Sequence, residues 1–178
     1  MGVTTMGDKH LIDTKNLDRY GHEALPWSRV RDVLDATGKA LDTWYLATTT
    51  AEGSPHSAGV GALWHEGELY FTSGARTRKS RNLARNPAAS ISVSLDGIDL
   101  VFEGEATRVT DRATLEAVAK RYHGDGWPAT VDGDALTAPY SAPSAGPPPW
   151  DVYRFTFDTV FGVATAEPHG ATRWRFSA

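Results

Sequence analysis

From Thr43 onward the chain is cut into short apolar segments, several of them joined by reverse turns too tight to hold a crossover helix, which points to antiparallel pairing. WYLATTT at 44–50 runs into a turn at Glu52 to Pro55, and HSAGVGALW follows at 56–64. HEGE at 65–68 makes a second turn before LYFTS at 69–73. SISVSL at 90–95 alternates with period two, and IDLVFEGEATRV at 98–109 reads as a longer strand in which Gly104 marks a bulge or a close backbone approach. VYRFTFDTVFGVAT at 152–165 sets Tyr153, Phe155 and Phe157 against Arg154 and Thr156, and ATRWRF at 171–176 supplies a terminal strand. Six or seven such strands fit a closed or partly closed barrel better than an open sheet, because closure removes edges.

The helices are few. Ser28 is placed to cap a short one carrying Val30, Val33 and Leu34 on one side, with Gly38 as its stop. GARTRKSRNLARNP at 74–87 reads as a second, capped by Thr77, with Leu83 and Ala84 as its apolar contribution and Asn86-Pro87 as its end. Asp111 caps a third, whose Leu115, Val118, Ala119 and Tyr122 recur on one face. The organisation expected is an N-terminal arm and short helix over 1–39 and a mainly β domain with flanking helices over 40–178. A Pro/Gly-rich excursion at 124–149 interrupts that domain as a lid or partner-contacting loop.

Of 178 residues, 40% are hydrophobic, enough for one core. A net charge of -4 argues against a general nucleic-acid binder, and the absence of cysteine excludes disulfides, cysteine catalysis and thiolate metal sites. No secretory signal or membrane-spanning run is legible, so a cytoplasmic protein with no membrane partner is expected. His10, His22, His56, His65, His123 and His169 lack close metal-ligand spacing, and neither HExxH nor GxSxG occurs, so no catalytic or metal residue is assigned. His56 reads as a solvent-facing turn residue after the first hairpin, and Glu103 with Glu105 as surface or packing groups on one face of a strand.

The strongest chemical signal is a run of cations. Arg76, Arg78, Lys79, Arg81 and Arg85 fall within ten residues that hold no acid, in a chain with 22 acids to 18 bases. A helix capped at Thr77 would aim its free first-turn amides where Arg78, Lys79 and Ser80 surround a phosphate. A solvated helix whose arginines improve solubility is the other reading of the same residues.

LATTTAEGSPHSAGVGALW, ELYFTSGARTRKSRNLARNPAASISV, the EGEA segment and the terminal TRWRF together resemble the pyridoxamine 5'-phosphate oxidase-like superfamily, the flavin-reductase-like split barrels, over about residues 40 to 176. The resemblance implies an antiparallel split β-barrel of the FMN-binding type, a homodimer, and a flavoprotein with its cofactor in a groove between subunits. By position Arg78 and Lys79 look like the phosphate-binding pair, with Thr77 and Ser80 as hydroxyl donors. Tyr70, Thr72 and Ser73 would line the same end, and Ser57, Ala58, Gly59 and Val60 the strand beside the ring system. Trp174 is a candidate for stacking on cofactor or partner, as are Trp127 and Trp150, and packing anchors are the other reading of all three.

The arginine and histidine pattern of pyridoxamine phosphate oxidase itself is not reproduced near the C-terminus, where ATRWRFSA follows FGVATAEPHG. That ending looks more like the branch using the 8-hydroxy-5-deazaflavin coenzyme F420. Its phosphodiester and acidic tail would use Arg78 and Lys79, with Arg76, Arg81 or Arg85 widening the positive approach surface. The expected activity is an oxidoreductase passing hydride from reduced coenzyme F420 to an electrophilic small molecule. An FMN-dependent oxidoreductase and a non-enzymatic ligand-binding protein are the alternatives.

Overall fold

A computed structural model describes residues 9–37 and 43–177. Eleven strands and three helices are laid out in it, and nine of the strands join one antiparallel sheet. The path begins with β1 (Leu11–Asn16), crosses β11 (Ala171–Phe176), β10 (Asp151–Ala164), β7 (Ile98–Val109), β6 (Ala88–Leu95) and β2 (Trp44–Thr49), and ends at β3 (Pro55–Val60). β4 (Leu63–His65) and β5 (Glu68–Ser73) form a hairpin off that path. The long strand β10 forks the sheet. One of its edges pairs with β7 throughout, while the other pairs with β5 over Asp151 to Phe155 and with β11 over Thr159 to Val163. This is the mainly β split barrel with flanking helices.

A bulge in β10 makes the fork possible. Phe157 pairs with Gly104 and Thr159 with Glu103, which leaves Asp158 as the extra residue. Buried positions are Tyr153, Phe155 and Phe157 before it and Val160, Gly162 and Ala164 after it, so the inward phase switches from odd to even. Gly104 is required there, since a Cβ on it would sit 2.1 Å from the Thr156 carbonyl oxygen and 2.7 Å from the Phe157 Cα. The close approach expected at this glycine is present.

The barrel core gathers inward residues of every long strand, including Trp44, Leu46, Ile91, Phe102, Phe155, Phe157 and Trp174. α1 (Trp27–Thr37) closes one end, with Val30 and Leu34 buried and Trp27 packed edge-on to Phe176 at 4.7 Å and Trp174 at 5.5 Å. Ser28 does not cap this helix. The helix begins one residue earlier, where docking of the Trp27 ring fixes the first turn, and Ser28 lies inside it. Gly38, its expected stop, lies outside the described residues.

α3 (Arg112–Gly124) is capped by Asp111, whose carboxylate accepts the Thr114 amide at 2.8 Å. Its Leu115, Val118, Ala119 and Tyr122 form a second core with Leu63, Tyr70, Val109, Leu136 and Val152. β5 is therefore covered on both faces, Leu69 and Phe71 toward the barrel and Tyr70 toward α3. The excursion holds a small hairpin, β8 (Thr130–Asp132) with β9 (Ala135–Thr137), which the sequence leaves unassigned because three-residue strands show no period. β1 escapes the sequence pattern for another reason: all six of its residues are exposed, and it is held by main-chain pairing to β11 rather than by an apolar face.

Candidate functional site

α2 (Arg78–Arg85) starts where β5 ends, and three hydroxyls weld the joint. Thr77 accepts the Ser80 amide at 3.3 Å as N-cap, while Ser80 Oγ lies 2.8 Å from Ser73 Oγ and Ser73 Oγ 2.9 Å from Thr77 Oγ1. Asn82, 1% exposed, donates to Thr48 Oγ1 at 3.0 Å and accepts from Arg85, and Leu83 enters the barrel core. Ala84 is exposed, because the buried stripe runs through Lys79, Ser80, Asn82 and Leu83. Arg81 folds back onto the Arg76 carbonyl at 2.6 Å and Arg85 donates to Asn82, so the last two cations of the run are occupied locally.

The remaining cations face a cleft of about 580 Å³ lined by His56, Ala58 and Gly59 of β3, by Arg76 to Lys79, and by Ser144, Ala145 and Gly146 of the excursion. No acid lines it. Lys79 is 7% exposed, and its ammonium makes no hydrogen bond or ion pair among the described residues. Burial holds its pKa below the ordinary lysine value, with no neighbouring charge to offset the desolvation. An ammonium at the end of a largely buried side chain, beside a helix start in an open cleft without carboxylates, is chemistry suited to an anion and above all to a phosphate.

Family comparison adds an observation independent of the site's geometry. The model of pyridoxamine 5'-phosphate oxidase matches residues 30–164. The chain belongs to that family. A comparison with curated proteins returns no match. Solved structures share the family's fold at low identity. A pyridoxamine 5'-phosphate oxidase-related, FMN binding protein from Nostoc punctiforme is 18% identical with a TM-score of 0.56, covering 89% of this chain and 98% of its own. A heme binding protein from Mycobacterium smegmatis is 17% identical with a TM-score of 0.58, covering 84% of this chain and 58% of its own. A NimC/NimA family protein from Clostridium acetobutylicum is 20% identical with a TM-score of 0.54, covering 82% and 91%.

Set on this family member, the site residues expected from sequence divide into two groups. Ala58, Gly59, Arg76, Thr77, Arg78 and Lys79 come together on the cleft. Ser73 and Ser80 are buried in the hydroxyl joint, where they position the helix start instead of lining the cleft. Tyr70 is turned to the α3 core by the strand's period of two, its hydroxyl donating to Glu68 at 2.8 Å, and Thr72 shares that face. Ser57 is exposed and absent from the lining, and Val60 packs on the barrel core. Trp174 is fully buried under α1 with its indole N–H on the Leu25 carbonyl, so it is a barrel anchor and not a stacking platform. Ser144 to Gly146 carry no sequence signal of a site, since a neutral stretch more than sixty residues from the helix start reaches it only through the folded excursion. His56, expected as a turn residue, belongs to the site's lining instead. It is half-buried on β3.

The outward Glu103 and Glu105 stand exposed on β7, apart from the cleft. Among the described residues no group of three His, Asp or Glu side chains is placed to hold a metal ion, and no helix is long and apolar enough to cross a membrane.

Proposed function

We propose that this chain is an oxidoreductase that seats the phosphate of a redox cofactor on the start of α2 and uses reduced coenzyme F420 to reduce an electrophilic small molecule. The observation that carries the reading is Lys79, a cation on a buried side chain that has no ion-pair partner among the described residues, beside Arg76 and Arg78. The residues fit such a group: the ammonium gains a counter-charge, Arg78 offers a planar fork to phosphate oxygens, and Thr77 fixes the helix whose amides face the same point. When bound, the cofactor supplies the hydride chemistry. The chain itself binds and orients, and β3 with its small Ala58 and Gly59 leaves room for a planar ring against backbone. A second copy of the chain is the proposed partner, completing the open side of the cleft, with a small-molecule acceptor as the remaining one.

FMN is the second reading, favoured by the FMN binding protein of the same fold. Titration of the purified chain with oxidised coenzyme F420 and with FMN, followed by anaerobic mixing of the reduced complex with an acceptor panel, separates the two. Tighter binding of the deazaflavin with acceptor-dependent oxidation is expected. Preference for FMN would overturn the cofactor assignment, and tight binding without turnover would make the protein a carrier. In either cofactor's case Lys79→Ala and Arg78→Ala should each weaken binding by about 1–3 kcal/mol, the cost of removing a charge-assisted hydrogen bond.

A further inference from the structure

One wall of the cleft is made by a part of the chain that has no role in the basic helix start. From Ala138 to Trp150 there is no charged residue, yet this stretch is firmly built. Leu136 and Trp150 exchange main-chain hydrogen bonds of 2.9 and 2.8 Å at its base, Ala142 and Gly146 exchange bonds of 3.0 and 2.9 Å near its tip, and the buried Trp150 indole donates to the Gly146 carbonyl at 3.2 Å. The tip then rests on the turn that begins α2. A Cβ placed on Gly74 would lie 2.6 Å from the Ala145 carbonyl oxygen, a clash with main chain, so only glycine lets the strap sit there.

All the positive charge of the cleft is thus on one wall, and the wall facing it is neutral, small and fixed by Gly74 and Trp150. We propose that the strap of residues 139–149 is the specificity wall of this cleft, holding the uncharged, hydroxyl-bearing chain that adjoins the ligand's phosphate against Ser144 to Gly146. The inference rests on the reading that a phosphorylated cofactor occupies the cleft. An anion alone meets only Arg76, Arg78 and Lys79. A ligand whose phosphate carries a polyol chain also meets the strap, whose Ser144 hydroxyl and close-packed Ala145 and Gly146 suit a neutral polar chain and offer nothing to a second anion.

The test compares inorganic phosphate with FMN and coenzyme F420, both of which carry a polyol chain next to phosphate, on the wild-type chain and on Gly74→Ala, Trp150→Phe and Lys79→Ala. Trp150→Phe loosens the strap from its far side by removing the bond to Gly146 and part of the ring packed against Trp127 and Tyr140, so the result does not depend on the folding of Gly74→Ala. Hydrogen exchange over 139–149 reports the loosening directly. Both strap variants should lose about tenfold in cofactor affinity while inorganic phosphate binding stays within about twofold, and Lys79→Ala should weaken both ligands. Faster exchange in the strap with unchanged cofactor affinity would overturn the specificity wall and leave the function standing. An equal loss for phosphate and cofactor would also overturn it, because the strap would then act only through the basic wall. Failure of the wild-type chain to bind either cofactor would remove the functional reading and the strap's role together.

Discussion

Lys79 sets stability against function within one side chain. Because burial lowers its pKa, the native state releases that proton more readily than the unfolded chain, which binds more protons between the lowered value and the ordinary 10.5; stability therefore rises with pH in that window. Lys9 acts in the same direction, its ammonium held to about 8 chiefly by burial over the Phe157 ring at 3.6 Å. The free protein should thus gain stability as pH rises from about 8 to 10. Above 10 the trend should reverse, because Tyr70, held up to about 12 by burial and then by its bond to Glu68, keeps a proton that the unfolded chain gives up. Urea titrations across pH 7–11 would show this, and a flat profile would count against both lysines as buried charges. At neutral pH Lys79→Met should melt higher than the wild type while binding cofactor more weakly; a lower melting temperature with unchanged affinity would be the contrary result. Sequence made Lys79 legible as a cation in an acid-free run after a capping threonine, which is a local signal. It could not show which way Tyr70 and Thr72 face, because β5 is apolar on both sides and its period carries no information about which core each residue joins.

Among the elements, the joint between β7 and β10 has the least room for change. Gly104→Ala forces a methyl group against two backbone atoms of β10, neither of which can move without breaking the bulge that switches the strand's inward phase. Overpacking of this kind costs about 1–3 kcal/mol or more, so the denaturation midpoint should fall clearly. Gly124→Ala at the end of α3 meets nothing within 4 Å, and by restricting the unfolded chain it should stabilise by about 0.4–1 kcal/mol. Equal effects of the two substitutions would show that the bulge is not under steric constraint. Thr77→Ala, which removes the cap and one corner of the hydroxyl joint, should cost about 0.5–2 kcal/mol and weaken cofactor binding as the helix start loosens. The bounds of β7 and β11 were readable because each alternates inward and outward residues against one core. β1, β8 and β9 were not, because pairing and anchoring through Trp150 hold them in place of a patterned face. The same distinction hid the strap: its position is fixed by Gly74 and by backbone bonds, neither of which leaves a periodic trace.

At the scale of the whole molecule, the outer face of the sheet carries exposed apolar side chains. Tyr45, Val101 and Val163 are 51%, 38% and 53% exposed, and Tyr45, Ser92, Val101 and Phe161 form one continuous cross-strand row through β2, β6, β7 and β10. That row leads to the cleft, since Tyr45 pairs with Gly59, which lines it. A second copy seated on this face would bury the row and reach the open side of the cleft at β3 in a single interface, coupling assembly to cofactor binding. Sedimentation should therefore give twice the 19.3 kDa of one chain. Val101→Glu combined with Tyr45→Glu should shift the protein toward monomer while leaving the barrel folded, because neither side chain belongs to the core. Cofactor affinity should fall in step with the dimer fraction, although the substituted residues are outside the lining of the cleft. A wild-type chain that stays monomeric across its concentration range would sink the assembly. A dimer that ignores both substitutions would move the interface to another face, and a monomeric variant with undiminished cofactor affinity would show that one chain builds the whole site.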